Sequence, residues 1–307
     1  MGIGLKNLCR LRDLGDLGLL STGDSIIELG AQELYCKGNG EQLNDFIHYF
    51  MSRHQSDTLS GSVDADIYQI ADRGFAGELF KICGFEYQAL DIFDGENITL
   101  FDLNLDVPPP RFVEKFDLVT NFGTTEHVLN QYLAFKTMHE LAKPGGVIYH
   151  DLPMGGYHLH GYFNYNPMFF EQLAVANDYE VLFYWYSSNL SPSNFVTEQM
   201  KEHGYTGDGW LDRGIEFVLR KTSTQPFRMP MDTTTSLGLN PDIWNGEGNH
   251  YGRNSASVIP TNGKKTKIGA IGSINLKADL GVVSGWDLQR ELLRRYSDRA
   301  RRLFRFQ

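Results

Sequence analysis

The sequence predicts an α/β fold: a doubly wound, mostly parallel seven-stranded sheet with helices on both faces. Apolar runs typical of buried parallel strands alternate with segments whose apolar residues recur at helical spacing. The two last predicted strands have little helix between them, which indicates an antiparallel edge strand. A hydrophobic fraction of 41% over 307 residues is sufficient for a packed core of this size.

In the first part of the chain, continuous apolar runs predict strands and amphipathic runs predict helices. Leu43, Phe46 and Ile47 share one helical face, and Gly84 is placed to end the second helix. The predicted elements, in order, are strand Ser25–Gly30, helices from about Glu41 to Arg53 and from about Asp72 to Cys83, and strands Phe85–Ile92 and Ile98–Leu103.

The second part continues the alternation. Lys143-Pro144-Gly145-Gly146 ends a helix that precedes a strand, and Asn166-Pro167 supplies an N-cap with proline at the first helical position. The predicted elements are strand Phe116–Phe122, helix Val128–Leu141, strand Gly146–Asp151, a helix from Asn166-Pro167, and strands Tyr179–Tyr186 and Gly214–Lys221.

These elements divide the chain into three regions. Residues 1–222 form the α/β domain, with residues 36–84 as a helical insertion after the first strand that could form a cap over a substrate. Residues 223–283 are rich in Gly, Asn, Ser, Thr and Pro and predict an irregular extension. Residues 284–307 predict a basic C-terminal helix, which either packs on the acidic domain or makes a weak contact with a membrane surface or an acidic partner.

Composition narrows the class of partner. A net charge of -10 argues against nucleic acid and favours a small molecule or a carbohydrate. Three cysteines are too few and too scattered for a disulfide framework or a zinc knuckle. We therefore expect a reducing, cytoplasmic environment. No run approaches the roughly 20 apolar residues that span a bilayer.

Ligands of doubly wound sheets bind beyond the carboxyl ends of the strands. Gly30 permits a close approach of a ligand to the backbone, and Asp91 is placed to accept hydrogen bonds from vicinal ribose hydroxyls. The full set of candidate positions is Glu28, Gly30, Asp91, Asp102, Asn121 to His127, His150 and Asp151.

Four segments resemble motifs of the class I S-adenosylmethionine-dependent methyltransferases, in the small-molecule branch. FDLVTNFGTTEHV at 116–128 and LAKPGGVIYHDLP at 141–153 resemble the motifs of the fourth and fifth strands. LFDLNLD at 100–106 and GIEFVLRK at 214–221 are similar to the acidic motif after the third strand and to the last strand. The resemblance covers roughly residues 20–222 and implies a Rossmann-like methyltransferase fold with S-adenosylmethionine as cofactor.

The resemblance also implies roles for individual residues. Those that would bind the cofactor are Glu28 and Gly30 at the methionine moiety, Asp91 at the ribose, Asp102 with Leu103 at the adenine, and Asn121, Phe122 and Gly123 at the floor of the site. The chain departs from the family because Gln32 and Leu34 replace glycines of the first motif, and because about sixty residues separate Gly30 from Asp91. Lys37 could supply positive charge at the altered turn.

The segment 150–170 after the predicted fifth strand is rich in histidine and aromatic residues. Methyl transfer to an alcohol needs a base, and neutral imidazole is suited to this role near pH 7. His158 and His160 are therefore the candidate bases, with His127 behind them.

A metal site is the alternative for the same residues. Glu126-His127 resembles the acid-histidine pair of some metal-dependent O-methyltransferases, and further ligands could come from His150, Asp151, His158 and His160. Gly123 stands where that pattern has a second acid, so the sequence favours a site without metal.

The sequence therefore predicts a methyltransferase that modifies a hydroxyl of a small molecule or carbohydrate with a histidine base. The alternative is a catalytically inactive methyltransferase-like module for binding or assembly. A nicotinamide-dependent dehydrogenase would need a glycine fingerprint that the chain lacks.

Overall fold

The computed structural model describes residues 2–52, 70–157, 160–189 and 212–231. The strands are β1 (Ile3–Gly4), β2 (Ser25–Leu29), β3 (Glu33–Tyr35), β4 (Asp72–Phe75), β5 (Glu86–Asp91), β6 (Ile98–Leu100), β7 (Phe116–Phe122), β8 (Ala142–Gly155), β9 (Tyr179–Asn189) and β10 (Asp212–Lys221). The helices are α1 (Leu5–Asp16), α2 (Gly40–Met51), α3 (Ala76–Ile82), α4 (Gln131–Leu141) and α5 (Pro167–Ala176).

Seven strands form the large sheet in the order β6-β5-β2-β7-β8-β10-β9. The five strands from β6 to β8 are mutually parallel, and β10 runs antiparallel to both of its neighbours. The predicted doubly wound fold is thus confirmed, with the antiparallel strand lying second from the edge. Strand order reverses between β2 and β7, so their carboxyl ends flank the point where such sheets bind ligands.

Both faces of the sheet are buried, which explains the continuous apolar runs of its strands. On one face Ile26 packs in a cluster with residues of α1, α2 and α3. On the other, Ile27 and Leu29 pack with residues of α4 and α5. Adjacent residues of β2 thus serve opposite layers, as the two-residue period of a strand requires.

The insertion after β2 contains more strand than predicted. Residues 72–75 form β4 instead of the first turn of a helix, and α3 begins only at Ala76. β3 pairs with β1 in parallel and with β4 in antiparallel orientation, giving a small separate sheet. Phe46, Ile47 and Phe50 of α2 belong to the core cluster of the large sheet, so this part of the predicted cap forms a layer on the sheet face.

Helix α1 was not predicted, and polar contacts fix it to the sheet. Lys6 Nζ lies 3.0 Å from Asp151 Oδ2 and 3.2 Å from Glu216 Oε1. Arg10 Nε lies 3.5 Å from Glu216 Oε2, and the Arg10 guanidinium lies 3.5 Å from the centroid of the Trp185 ring. Glu216 is buried, so cations from α1 compensate a buried acid on β10.

Residues 223–231 are the described part of the predicted extension, and they contain no helix or strand. Asn177 holds them, because its Oδ1 accepts from the Arg228 N–H at 2.7 Å and its Nδ2 donates to the Arg228 carbonyl at 2.9 Å. The rest of the extension and the predicted basic helix at 284–307 lie outside the described residues. None of the described helices combines the length and apolar character needed to cross a membrane.

Candidate active site

The turn after β2 depends on glycine at position 30. Gly30 has a φ of +74°, in the left-handed region that other residues rarely adopt. A Cβ at this position would lie 2.7 Å from Thr124 Oγ1. The loop after β7 therefore approaches the backbone so closely that a larger residue is excluded.

Gln32 stands where the resemblance implies a glycine, and its side chain folds back over this turn. Its Nε2 donates to the Gly30 carbonyl at 2.9 Å and to Thr124 Oγ1 at 3.2 Å. Leu34 is buried in β3. The substitution at position 32 thus adds a polar group to the site. Lys37 forms an exposed ion pair with Asp72 at 2.6 Å and makes no described contact with the turn.

Glu28 is buried at the end of β2. Its Oε2 accepts from the Tyr87 hydroxyl at 2.6 Å and from the Gln32 N–H at 3.4 Å. Burial raises the pKa of Glu28 to about 7, against the opposing effect of the hydrogen bonds from Tyr87 and Gln32. No described residue forms a hydrogen bond with Glu28 Oε1 or with Gln32 Oε1. Two buried acceptors near one turn fit a donor such as a protonated amine.

Asp91 ends β5 beside the same turn. Its Oδ2 accepts from the Ala31 N–H at 2.7 Å, and its Oδ1 accepts from the Phe93 N–H at 3.0 Å. A carboxylate oxygen can accept a second hydrogen bond, so Asp91 retains capacity for ligand hydroxyls. Ile92 and Phe93 are 65% and 72% exposed. This apolar surface beside the acid was missed from the sequence, although Ile92 ends a predicted strand and Phe93 follows it.

Asp102 and Leu103 follow β6 in a tight turn. Asp102 Oδ1 accepts from the backbone N–H of Asn104 at 2.8 Å and from its side-chain amide at 3.1 Å. The Asp102 N–H donates to Asp106 Oδ2 at 2.7 Å. Leu103 is buried in the core. Asp102 therefore has a structural role in the turn, which leaves its predicted adenine contact as a prediction.

The side chains of Asn121 and Phe122 face the interior. Asn121 Nδ2 donates to Thr125 Oγ1 at 2.9 Å, and its Oδ1 accepts from the Thr125 N–H at 3.2 Å. Phe122 packs edge-on against Tyr149. Gly123 has a φ of +71° and makes the turn out of β7. The side chains of Asn121 and Phe122 are thus held in the protein interior, and the backbone of these residues would line the predicted floor of the site.

Glu126, His127 and His160 form a second cluster, which we name the EHH cluster. The Nε2 atoms of His127 and His160 lie 3.8 and 3.7 Å from Glu126 Oε1, and the two imidazole centroids are 5.0 Å apart. Glu126 is fully buried, and neither carboxylate oxygen has a hydrogen-bond partner in the described part of the chain. An unsatisfied buried acceptor costs about 1 to 3 kcal/mol.

The loop after β8 brings His160 to this position. The N–H groups of Tyr162 and Phe163 donate to the Glu126 carbonyl at 2.7 and 3.2 Å. Gly161 lies against the Glu126 side chain, since a Cβ there would be 2.9 Å from Glu126 Cγ. His127 and His160, two of the three candidate bases, thus lie close together, whereas His158 lies outside the described residues.

Burial lowers the pKa of His127; the Glu126 carboxylate acts in the opposite direction, and His160 adds to the lowering. The side chain of His127 is 45% exposed. A neutral, accessible imidazole is able to accept a proton.

His150 and Asp151 do not join the EHH cluster. Burial lowers the pKa of His150 to about 3, and its Nδ1 lies 3.2 Å from Asn121 Nδ2. The ring packs near Phe135 and Phe170. Asp151 accepts hydrogen bonds from Lys6 and Asn7 of α1. Both residues are therefore structural.

Comparison with known protein families gives one match within the chain. Residues 71–191 match the family model described as a methyltransferase domain. No curated protein matches the sequence.

Among solved structures, the chain is similar to 1,6-didemethyltoxoflavin-N1-methyltransferase from Burkholderia thailandensis, at 13% identity over 70% of this chain and 76% of that chain, with a TM-score of 0.37. It is similar to TehB from Haemophilus influenzae, at 11% identity over 68% and 62% of the two chains, with a TM-score of 0.40. It is also similar to phosphoethanolamine N-methyltransferase 2 from Haemonchus contortus, at 11% identity over 71% and 53%, with a TM-score of 0.38. Similarities at this level assign no individual residue.

The seven-stranded, mostly parallel sheet is the predicted Rossmann-like methyltransferase fold. The match of residues 71–191 to a methyltransferase domain supports the predicted resemblance to the class I S-adenosylmethionine-dependent methyltransferases.

Proposed function

We propose that the protein transfers a methyl group from S-adenosylmethionine to a hydroxyl of a small molecule or carbohydrate. One observation carries the proposal. The Gly30 turn, held to Asp91 by the 2.7 Å bond from Ala31, and the EHH cluster both follow strands that flank the point where the strand order reverses. Groups able to hold a donor and an acceptor thus lie at the same edge of one sheet.

The residues at the turn fit the cofactor. The free acceptors Glu28 Oε1 and Gln32 Oε1 would bind its amine, and Asp91 would bind the ribose hydroxyls. Ile92 and Phe93 offer an exposed apolar surface to the adenine. When bound, S-adenosylmethionine supplies an electrophilic methyl group.

The EHH cluster would receive the acceptor. His127 and His160 have exposed imidazoles close together, and either could take the hydroxyl proton while the C–O bond forms. His158, the third candidate base, remains a prediction. Positioning of the two reactants can supply on the order of 7 to 11 kcal/mol of the barrier reduction.

A specific observation favours the alternative of an inactive binding module. The side chains of Gln32 and Thr124 lie against Gly30. Gln32 stands where the first motif of the family has a glycine. If these side chains do not move, they limit the approach of the methionine moiety.

Calorimetry with S-adenosylmethionine and S-adenosylhomocysteine separates the two functions. We expect binding by the wild type and weakened binding by Asp91→Asn. Labelled S-adenosylmethionine with panels of hydroxyl and amine acceptors then tests turnover. Absence of cofactor binding would overturn the proposal in favour of the binding module, and turnover of amines alone would overturn the hydroxyl assignment.

A further inference from the structure

We propose that Glu126, His127 and His160 bind a divalent first-row transition cation. Binding of the cation does not depend on the proposed function, whereas its use in methyl transfer rests on that function. The sequence favoured a site without metal because Gly123 replaces a second acid. The folded chain supplies a different third ligand, His160, from the loop after β8.

The ligand atoms are already close together. One atom from each of the three residues lies within 4.8 Å of the others, and both Nε2 atoms are within 3.8 Å of Glu126 Oε1. Zinc binds histidine nitrogen and carboxylate oxygen at about 2.0 to 2.2 Å, which places neighbouring ligand atoms roughly 3 Å apart. Small side-chain rotations would therefore complete the coordination.

The state of Glu126 is the second, independent observation. Its carboxylate is completely buried, points toward both imidazoles, and has no hydrogen-bond partner among the residues described. Buried carboxylates are normally paired or coordinate metals. The backbone of the loop fixes Glu126 through the Tyr162 and Phe163 N–H groups, so the carboxylate is held where a cation would satisfy it.

The ligand types determine which class of ion the site would bind. Two imidazoles with one carboxylate suit Zn²⁺, Fe²⁺, Co²⁺ or Ni²⁺ better than Mg²⁺ or Ca²⁺, which prefer oxygen ligands. The side chains of His127 and His160 are 45% and 33% exposed. Coordination positions on the exposed side would remain open to an exchangeable ligand, as in catalytic zinc sites.

An acceptor hydroxyl is a suitable exchangeable ligand. Coordination to a divalent cation makes a hydroxyl more acidic, so its proton would pass to water as the oxygen attacks. The C–O bond would form while the methyl–sulfur bond breaks and sulfur retains the electron pair. In this arrangement His127 and His160 are ligands, and the cation replaces the histidine base.

The test uses the full chain after treatment with a chelator. ZnSO₄ binding is measured by calorimetry, and CoCl₂ binding by visible absorption, for the wild type, Glu126→Gln, His127→Ala and His160→Ala. His48→Ala is the matched control, because His48 is an exposed histidine on α2. We expect one ion per chain for the wild type and the control, and affinity at least about 10-fold lower for each cluster variant.

Two results would overturn the inference: no Zn²⁺ or Co²⁺ binding by the wild type, or equal binding by all variants. His160→Ala changes a partly exposed side chain, so it keeps the test informative if Glu126→Gln fails to fold. S-adenosylhomocysteine binding measured on the same samples reports on the proposed function separately. Cofactor binding without metal binding removes only this inference, and the reverse removes only the proposed function.

Discussion

The backbone N–H of Ala31 donates a 2.7 Å hydrogen bond to Asp91 Oδ2, joining residues sixty positions apart in sequence. The adjacent Gly30 N–H donates to the Leu90 carbonyl at 2.8 Å. These bonds hold the turn after β2 against the end of β5. The same carboxylate thus positions the turn and is available to ligand hydroxyls.

Replacing Asp91 by Asn should weaken S-adenosylhomocysteine binding about 10- to 100-fold, because hydrogen bonds to a charged group are worth about 1.5 to 3 kcal/mol. The loss in unfolding free energy should be smaller, about 1 kcal/mol, since the amide oxygen still accepts one N–H. Calorimetry and urea unfolding measure the two effects. Asp94→Asn is the control, because Asp94 lies exposed in the same loop. Equal affinity of Asp91→Asn and wild type would remove Asp91 from the cofactor site.

Gly30→Ala should destabilise the protein by about 2 to 4 kcal/mol. Left-handed backbone costs an alanine about 1 to 2 kcal/mol, and the clash with Thr124 adds a similar amount. Gly23→Ala is a matched control, since Gly23 also has a positive φ, of +92°, but a Cβ there would meet nothing within 4 Å. Urea unfolding of both variants isolates the clash. Identical losses would show that the Thr124 contact imposes no constraint.

Glu28 should make stability fall as pH rises. Its pKa of about 7 in the folded protein exceeds the ordinary 4.5, so the folded state holds a proton that the unfolded state releases. The stabilisation is fully present below pH 4.5 and is lost as pH rises through 7. The difference corresponds to about 3 kcal/mol at 1.36 kcal/mol per pH unit.

Urea unfolding at pH 5 and pH 8 measures this effect. Glu28→Gln should lose less stability than the wild type over this interval, while Glu86→Gln, an exposed control at the start of β5, should behave as the wild type. A Glu28→Gln variant with the wild-type pH dependence would contradict the assignment.

Arg10→Met should lower the unfolding free energy by about 1 to 3 kcal/mol, because it removes a cation from a buried acid. The Glu216 side chain is 2% exposed and is left with Lys6 and the Tyr149 hydroxyl as partners. Thermal unfolding of Arg10→Met and of Arg10→Met/Glu216→Gln tests the pair. The second substitution should recover part of the loss; Arg111→Met, at an exposed position, should have little effect.

The large sheet was predictable because its strands are buried on both faces. Phe116–Phe122 was predicted with the observed bounds, and α4 ends at Leu141 before the proline and glycines, as predicted. Helix α1 was missed although Leu5, Leu8, Leu11 and Leu14 recur at helical spacing. Residues 72–75 were predicted as helix, because their pairing with β3 depends on residues distant in sequence.

The candidate site was predictable only in part. Positions at strand ends follow from the fold, so Asp91 and His127 were found. The folding of Gln32 onto Thr124 and of the loop after β8 onto Glu126 depends on contacts across loops. No local pattern reports such contacts, and the free carboxylate of Glu126 could not be inferred from its neighbours in sequence.

The long chain segment between Ala31 and Asp91 has a consequence for the kinetics of folding. The turn after β2 is completed only when β5 pairs with β2 and closes this sixty-residue loop. Loop-closure entropy must be overcome before such long-range contacts stabilise the chain. We therefore expect the turn to assemble late in refolding, so that recovery of ligand binding lags behind recovery of helical structure.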